Sequence, residues 1–248
     1  MHLFVQDKLA IRQRHGVYSG PLSHTALLKR GEQTMLFCVR DVTDTVQRCH
    51  LGGRFYEEPL LQRIAPMIPE GGTFVDVGAN VGNHAIYAAL VAGAGRIVPF
   101  EPNPAAFEIL LANIILNGLE ERTDLSALGF GLSDEAQDGL AMSWHTRNLG
   151  GGTIRGTGGD ISVKRGDDHL AQEAVDFLKI DTEGMEMAAL AGLEQTIART
   201  RPNILIEVDK SNREAFDAWA EDHAYTMLFE EPVSRRNDNL VLQASERI

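Results

Sequence analysis

Hydrophobic and polar positions change their period near residue 53. Between residues 22 and 51, short apolar stretches are interrupted by polar turns at residues 30–31 and 41–45. Short runs bounded by turn residues are typical of strands and loops. We therefore expect residues 1–52 to form a small β-rich extension that covers the rest of the chain.

From residue 53 onward, apolar stretches alternate between strand length and helix length. The predicted elements, in order, are a helix from Pro59 to Pro69, a strand at Thr73–Val77, a helix at 83–91, a strand at Arg96–Phe100, and a helix capped by Asn103 with Pro104 in its first turn. These assignments rest on helical spacing of apolar residues, on proline at helix starts and on asparagine as an N-cap. Strand and helix in strict alternation predict a parallel sheet.

The second half of the chain continues this order. Further strands are predicted at 125–132, 176–181, 203–208, 226–229 and 239–243, with a helix carrying Met187, Leu190, Leu193 and Ile197 and another at 212–223. The last two strands are close enough to form a hairpin, which places an antiparallel strand in the sheet. We predict an α/β, Rossmann-like fold with a seven-stranded, mostly parallel sheet ending in an antiparallel hairpin.

Residues 139–167 do not follow this pattern. They lack helical periodicity, contain glycines at 150–152 and 158–159, and include one short apolar run at 161–163. We interpret them as a flap inserted over the functional site of a domain spanning residues 53–248; a surface loop without a role is the alternative.

Composition excludes several classes of protein. The 248 residues carry a net charge of −12 and no cluster of Lys and Arg, which disfavours nucleic acid as a partner. No apolar run approaches the roughly 18 residues of a membrane span, and the first residues lack a secretory pattern, so a cytoplasmic location is expected. Cys38 and Cys49 form neither a disulfide framework nor a zinc pattern.

A glycine-spaced turn follows the first strand of the alternating region. Gly78 and Gly82 lie between that strand and a helix, and Glu101 ends the next strand, 19 residues beyond Gly82. Glycine allows a ligand close to the backbone, the helix start offers free N–H groups, and a carboxylate at this place can accept both hydroxyls of a ribose. A nucleotide-containing cofactor is therefore expected here.

The spacing of the glycines separates two cofactor classes. Dinucleotide sites need G-x-G-x-x-G, whereas Asn80 stands centrally between Gly78 and Gly82. Asp76 at the strand end would repel a pyrophosphate but could bind the amino group of a methionine moiety. S-adenosylmethionine (SAM) is thus favoured over NAD, although purely structural roles stay open for Asp76 and Asn80 as helix caps and for Glu101 as an exposed acid.

Several motifs together resemble the FkbM-type methyltransferases, over about residues 53–242. They are Phe55-Tyr56-Glu57, Asp76-Val77-Gly78-Ala79-Asn80-Val81-Gly82-Asn83-His84, Glu101-Pro102-Asn103, Leu132-Ser133-Asp134, Asn148-Leu149-Gly150-Gly151 and Leu178-Lys179-Ile180-Asp181-Thr182-Glu183-Gly184. The resemblance implies a class I fold and SAM-dependent methylation of a hydroxyl on a sugar, glycan or polyketide-like natural product. On these motifs, the expected donor-binding residues are Glu57, Asp76, Gly78, Asn80, Gly82, Asn83, Glu101, Pro102, Asn103, Ser133, Asp134 and Asp181, with Ser133 and Asp134 beside the adenine.

Methyl transfer to an alcohol also needs a group that takes the hydroxyl proton. Acids follow two later strands, where open α/β sheets bind their ligands: Asp181 and Glu183, then Glu207 and Asp209. We expect Asp181 or Glu183 to contact the acceptor or to act as base, with Glu207 and the flap residue His145 as further candidates. A structural role for Glu183 at a helix N-terminus stays open.

Oxygen ligands of this kind suit Mg²⁺, but acid spacing alone carries little weight, and no metal site is predicted. The alternatives to a methyltransferase are an NAD-type oxidoreductase on a Rossmann fold and a non-catalytic domain that binds SAM or a nucleotide. We expect a small-molecule or glycan acceptor. Its identity and the oligomeric state do not follow from one sequence.

Overall fold

The computed structural model describes residues 24–145 and 148–245, apart from the side chains of Trp144, His145, Asn148 and Arg155. Its strands are β1 His24–Arg30, β2 Gln33–Val39, β3 Thr73–Val77, β4 Arg96–Phe100, β5 Phe130–Leu132, β6 Gln137–His145, β7 Asn148–Thr157, β8 Ile161–Lys164, β9 Phe177–Ile180, β10 Asn203–Asp209, β11 Tyr225–Pro232 and β12 Asn237–Ala244. Its α-helices are α1 Thr45–Leu51, α2 Glu58–Ile64, α3 Asn83–Leu90, α4 Pro104–Leu116, α5 Gly166–His169, α6 Glu186–Gly192, α7 Glu194–Thr200 and α8 Arg213–Asp222.

The central sheet has six strands in the order β11-β12-β10-β9-β3-β4. Strands β10, β9, β3 and β4 are parallel neighbours, and β12 runs antiparallel to both β10 and β11. The order reverses between β3 and β9, so the loops that follow these two strands open a crevice at the sheet's carboxyl edge. The α/β, Rossmann-like class is confirmed, including the C-terminal hairpin with its antiparallel strand.

The predicted strand at 125–132 and the seven-stranded sheet are wrong in detail. Only two isolated bridges, Ile97 to Thr123 and Glu101 to Leu128, join this segment to β4. The carboxylate of Asp124 accepts the Ser126 N–H at 3.0 Å and starts a 3₁₀ turn at Leu125–Ala127, which interrupts the extended backbone. A regular strand therefore begins only at β5, which belongs to a different sheet.

That second sheet has the order β5-β8-β6-β7 and contains most of the residues predicted as a flap. Strand β5 is parallel to β8, while β6 pairs antiparallel with β8 and β7. Asn148 pairs with His145, and Thr153 pairs with Ser143, so four residues of β7 lie opposite one residue of β6. We call residues 149–152 the glycine bulge; it turns β7 toward the crevice.

The N-terminal described segment is a β1–β2 hairpin followed by a helix. The prediction of strands and turns alone was wrong for Thr45–Leu51, because Asp44 accepts the Gln47 N–H at 2.9 Å and caps a helix there. The hairpin shares a hydrophobic cluster with the sheet, in which Phe37 and Phe74 are both fully buried. The hairpin and the sheet therefore share one core.

Side chains of α4 also bind the free edge of β2. Asn113 Oδ1 accepts the Cys38 N–H at 2.6 Å, and Asn117 accepts from and donates to the Leu36 backbone at 3.0 and 2.7 Å. Asn113 further donates to the Val81 carbonyl at 2.7 Å, just after the glycine turn begins. Two amide side chains thereby connect the hairpin to α4, and one of them, Asn113, also connects it to the loop after β3.

The helix predicted after β9 is divided into α6 and α7 at Gly192–Leu193. A Cβ on Gly192 would lie 2.1 Å from the Ser133 carbonyl oxygen, so this position needs glycine. Among the described helices, none is long and apolar enough to cross a membrane.

Candidate active site

Gly78 brings the ends of β3 and β9 into direct contact. Its φ is +76°, and a Cβ at this position would lie only 1.8 Å from the Asp181 carbonyl oxygen. The N–H groups of Gly78 and Ala79 donate to the Phe100 carbonyl at 2.9 and 3.0 Å, which fixes the turn against β4 as well. Only glycine meets both requirements, the left-handed backbone and the close approach.

Lys179 is buried behind this turn and contacts the residues on both sides of it. Its Nζ lies 3.0 Å from Asp76 Oδ1, 2.6 Å from the Gly78 carbonyl and 3.7 Å from Asp181 Oδ2. Burial opposes the ammonium, but the carboxylates of Asp76 and Asp181 outweigh it and raise the pKa of Lys179. Lys179 therefore contacts both carboxylates, Asp76 and Asp181, beside the turn.

Asp76 itself is fully buried beside Lys179. Burial raises the pKa of its carboxyl, and the neighbouring ammonium works in the opposite direction. Asp76 is absent from the walls of the two cavities that the described residues form at this edge. Its contact with the turn passes through Lys179, which also donates to the Gly78 carbonyl. Binding of a methionine amino group by Asp76, directly or through water, stays a prediction.

Glu101 directly follows β4 and accepts hydrogen bonds from two backbone N–H groups. Its Oε2 accepts the Asn80 N–H at 2.7 Å, and its Oε1 accepts the Asn103 N–H at 2.8 Å. Burial is the main cause that raises its pKa to about 7, against these two hydrogen bonds. Asn103 in turn caps α4 through the Ala105 N–H at 2.9 Å, as its sequence predicts.

Two cavities meet at this edge of the sheet. The larger has a volume of about 550 Å³ and is lined mainly by polar and acidic side chains. The smaller, of about 40 Å³, lies between Glu101, Pro102 and Leu132 on one side and apolar flap residues on the other. The residues that border both cavities are Gly78, Gly150, Asp181 and Glu183.

The larger cavity collects acids from separate elements. Burial and the nearby Asp181 carboxylate raise the pKa of Glu57 to about 7, of Glu183 to about 7 and of Glu207 to about 8. Asn237 donates to Glu207 and Asn239 donates to Glu57, at 3.3 Å in the second case. Carboxyl groups that titrate near neutrality are suited to proton transfer.

Backbone strain coincides with this cavity. Of the five described non-glycine residues with φ between +50° and +53°, three line it: Glu57, Asn80 and Glu183. A left-handed backbone is unfavourable for residues with a Cβ and is concentrated at functional sites. All three of these residues with a left-handed backbone line the larger cavity.

The acids could also approach a cation. Oxygens of Asp181, Glu183 and Glu207 lie within 4.8 Å of one another. Exposed acidic groups of this kind are common without a metal, and the donor set contains no other ligand type. We assign no metal to the cluster.

His84 and Asn83 connect the N-terminal segment to the helix after the turn. Asn83 Oδ1 accepts the Tyr56 N–H at 2.9 Å and lies 3.0 Å from His50 Nε2, and Asn83 Nδ2 donates to the Tyr56 carbonyl at 3.0 Å. Burial, with Lys179 as a smaller cause, holds the pKa of His84 well below its usual value. Its Nε2 lies 3.5 Å from Glu57 Oε2, so this neutral ring stands next to a cavity acid.

The remaining predicted site residues lie at different places. Asn80 and Asn83 line the larger cavity, Pro102 and Asn103 line the smaller one, and Gly82 begins α3 at φ +86°. Ser133 donates to Asp134 at 2.9 Å, one strand position beyond the cavity wall that Gly131 and Leu132 form. The side chain of His145 lies outside the described residues.

Several lining residues were missed by sequence reasoning. The smaller cavity is bounded by Met142, Leu149 and Ile154 of the flap, and the larger by Thr45, Val46 and Arg236. The larger apolar side chains Leu140 and Met142, which alternate with Ala141 and Ser143, could have indicated an inward face. Thr45 and Val46 carried no signal, because their place depends on a helix that the sequence pattern did not reveal.

Comparison with solved structures agrees with this fold. An rRNA methylase from Streptococcus thermophilus superposes with a TM-score of 0.50 at 12% identity, over 76% of this chain and 95% of that one. The Rossmann-like sheet, the glycine turn and the acid at the end of β4 define a SAM-dependent methyltransferase.

The family follows from sequence comparison. The model of the methyltransferase FkbM domain matches residues 76–232, more than half of the chain. The chain belongs to the FkbM methyltransferase family.

Two curated relatives are similar in sequence over part of this chain. Methyltransferase sdnD of Sordaria araneosa is 26% identical over 64% of this chain and 75% of its own length. The 31-O-demethyl-FK506 methyltransferase FkbM of Streptomyces tacrolimicus is 32% identical over 50% of this chain and 60% of its own.

Proposed function

We propose that this chain transfers the methyl group of SAM to a hydroxyl of a sugar, glycan or polyketide-like natural product. The acceptor oxygen forms a bond to the methyl carbon while the carbon–sulfur bond breaks. The bonding electrons stay on sulfur, which gives S-adenosylhomocysteine, and the hydroxyl proton passes to a carboxylate. In support, a relative in the family is named for O-demethyl-FK506 methylation.

The observation that carries the proposal is that Glu183 borders both cavities. It lies where the smaller cavity, beside the ribose-binding candidate Glu101, opens into the larger acidic one. Its pKa of about 7 leaves a substantial fraction ionised near neutral pH, and that ionised form can accept a proton. We assign Glu183 as the base, whose proton affinity is raised by burial and by the Asp181 carboxylate.

The donor would be held by residues of the turn and of β4. We propose that Glu101 accepts the ribose hydroxyls and that the apolar wall around Leu132 and Pro102 takes the adenine. Asn80, Asn83 and Glu57, which line the larger cavity, would face the methionine moiety. Lys179 neutralises Asp76 and keeps the Gly78 carbonyl in place, so the turn holds its shape while the ligand binds.

For the acceptor, the larger cavity has room for a compact molecule of the size that protein pockets commonly hold. Its acidic wall and the net charge of −12 favour a neutral or cationic small molecule or glycan over nucleic acid. We further propose residues 53–248 as the methyltransferase unit, with residues 1–52 as an extension that contributes Thr45 and Val46 to the acceptor side.

The test is turnover with radiolabelled SAM and a panel of sugars and alcohol-bearing natural products, on the wild type and on Glu183→Gln. Removing the base lowers kcat by about 10²–10⁴-fold and leaves the affinity for S-adenosylhomocysteine within about twofold. Glu135→Gln, an exposed acid outside both cavities, is the matched control. Unchanged turnover in Glu183→Gln would remove Glu183 from the chemistry, and tight binding of NAD instead of SAM would overturn the donor assignment.

A further inference from the structure

The glycine bulge, residues 149–152, is held by side chains that belong to neither of its strands. In the ladder between β6 and β7, the register shifts between Ser143 and His145, opposite the bulge. Bulges commonly redirect a strand next to an active site. Here the redirected residues Leu149, Gly150 and Gly152 form part of the smaller cavity.

The Leu149 backbone is bound on both sides. Its N–H donates to Asp44 Oδ2 at 2.9 Å, and its carbonyl accepts from Asn103 Nδ2 at 3.0 Å. Asp44 is fully buried and Asn103 almost so. The two residues therefore hold one peptide segment of the flap from opposite sides, one from the N-terminal segment and one from the end of β4.

Both holding residues are themselves fixed. The second oxygen of Asp44 accepts the Gln47 N–H at 2.9 Å and caps α1, and Asn103 caps α4. The Asn103 N–H also donates to Glu101 Oε1 at 2.8 Å. A chain of hydrogen bonds thus runs from the cap of α1, through the Leu149 peptide, to the proposed ribose acceptor.

We propose that Asp44 is a positioning residue for the donor cavity: its carboxylate holds the Leu149 N–H so that the glycine bulge stays in place as the cavity wall. This inference rests on the proposed function, because it takes the smaller cavity as the place of the SAM adenosine. A hydrogen bond from an amide to a buried carboxylate is stronger than one between neutral groups. Its loss releases the bulge, and the bound nucleoside is then held less tightly.

Asp44→Asn separates this role from the capping role. Asparagine caps a helix as well as aspartate does, so its single oxygen can serve Gln47. The side-chain NH₂ group of the introduced asparagine then faces the Leu149 N–H. Because both groups are donors, the hydrogen bond is lost. Asp44→Ser is a second, smaller variant that keeps a cap but is too short for Leu149. Asp41→Asn is the control, since the Asp41 carboxylate is three residues away and accepts hydrogen bonds from Thr43 within its own turn.

Two measurements are made on the full chain. Hydrogen exchange of the Leu149 amide, without any ligand, accelerates at least about tenfold in Asp44→Asn and stays unchanged in Asp41→Asn. Calorimetric titration with S-adenosylhomocysteine, well below the melting temperature, gives an affinity about tenfold weaker in Asp44→Asn and Asp44→Ser, with the control within about twofold.

The outcomes are distinct. Faster exchange with unchanged S-adenosylhomocysteine affinity makes Asp44 a purely structural cap and overturns the proposal. Rapid exchange of the Leu149 amide in the wild type also overturns it, even when neither Asp44 variant folds. A wild type that shows the slow amide but binds no S-adenosylhomocysteine refutes the donor assignment, while the hydrogen bond itself stands.

Discussion

At the residue scale, the site depends on a buried ion pair. Lys179 and Asp76 are both removed from water, and each is the main compensation for the charge of the other. Removing one member of such a pair leaves an isolated buried charge, which costs more than the pair contributes. The pair therefore makes the turn intolerant of change at both residues.

Lys179→Met tests this dependence on the ammonium. Methionine has a similar length but no charge, so the Asp76 carboxylate and the Gly78 carbonyl lose their donor. We expect the free energy of unfolding to fall by about 3–5 kcal/mol in denaturant titrations. Lys210→Met, at a surface pair with Asp238, should change it by less than about 1 kcal/mol. Equal effects of the two substitutions would contradict the account.

Glu207 gives a prediction for pH. Its folded pKa, about 8, lies above the unfolded value near 4.5, so the folded state binds more protons in this window. Stability therefore falls as pH rises from about 4.5 to 8. Glu207→Gln removes this loss, and at pH 8 the variant should be more stable than the wild type by on the order of 2 kcal/mol.

The measurement for Glu207 is urea unfolding at pH 5 and at pH 8. The two proteins should differ at pH 8 and converge at pH 5, where the glutamate carries its proton. A gap of the same size at both pH values would show that packing, not titration, causes the difference.

At the scale of elements, Gly78 is the point where two strands and their loops meet. Gly78→Ala must place a Cβ 1.8 Å from the Asp181 carbonyl and keep a left-handed backbone. Gly31→Ala is the matched control, because Gly31 has φ +58° and a methyl group there would meet no atom within 4 Å. The control should cost about 1 kcal/mol and Gly78→Ala at least about twice that, by thermal unfolding.

A similar argument applies to the link between α4 and β2. Asn113→Ala leaves the Cys38 N–H and the Val81 carbonyl without their side-chain partner inside the protein. We expect a loss of about 2–4 kcal/mol in chemical unfolding, since two buried groups are affected. The exposed Gln172→Ala should stay within about 0.5 kcal/mol. A cost below about 1 kcal/mol for Asn113→Ala would mean that water replaces the amide.

Features that depend on neighbouring residues could be predicted from the sequence, whereas features that depend on contacts between distant residues could not. Strands β3 and β4 were predicted at their observed bounds, because each is mostly apolar and is followed within two residues by glycine or proline. The break between α6 and α7 was not, because the apolar residues from Met187 to Ile197 keep their helical spacing across it. The position of β5 was also not predicted. It was expected beside β4, but a local turn at Asp124 interrupts the extended backbone before it.

The same distinction applies to the residues of the candidate site. Glu101, Asp181 and Glu183 could be proposed because acids after parallel strands meet at one edge. Glu57 was found only through its motif, and Asp44 was not proposed at all, because its importance depends on a bulge more than a hundred residues away. Contacts of this kind leave no periodic trace in the sequence.

At the scale of the whole molecule, the hairpin and the Rossmann-like sheet share their hydrophobic interior. Phe37, Met35 and Leu28 of the hairpin are fully buried in the same cluster as Phe74 and Ile86. A chain that starts at residue 53 would expose the apolar surface that they cover.

We predict that a protein comprising residues 53–248 loses cooperative thermal unfolding and binds the dye ANS strongly, whereas the full chain melts in one transition. The control is a chain that starts at residue 24. If the shorter protein unfolds cooperatively with little dye binding, the hairpin is an appendage and not a part of the core.

The position of β12 has a consequence for how the protein is made. This strand, Asn237–Ala244, lies inside the sheet between β10 and β11, although it is translated after both. Until the ribosome has released it, β10 has an unpaired edge and Glu207 lacks Asn237. A nascent chain therefore carries an open edge on β10 until β12 has emerged, and up to that point the acidic cavity lacks the part of its wall that Asn237 forms.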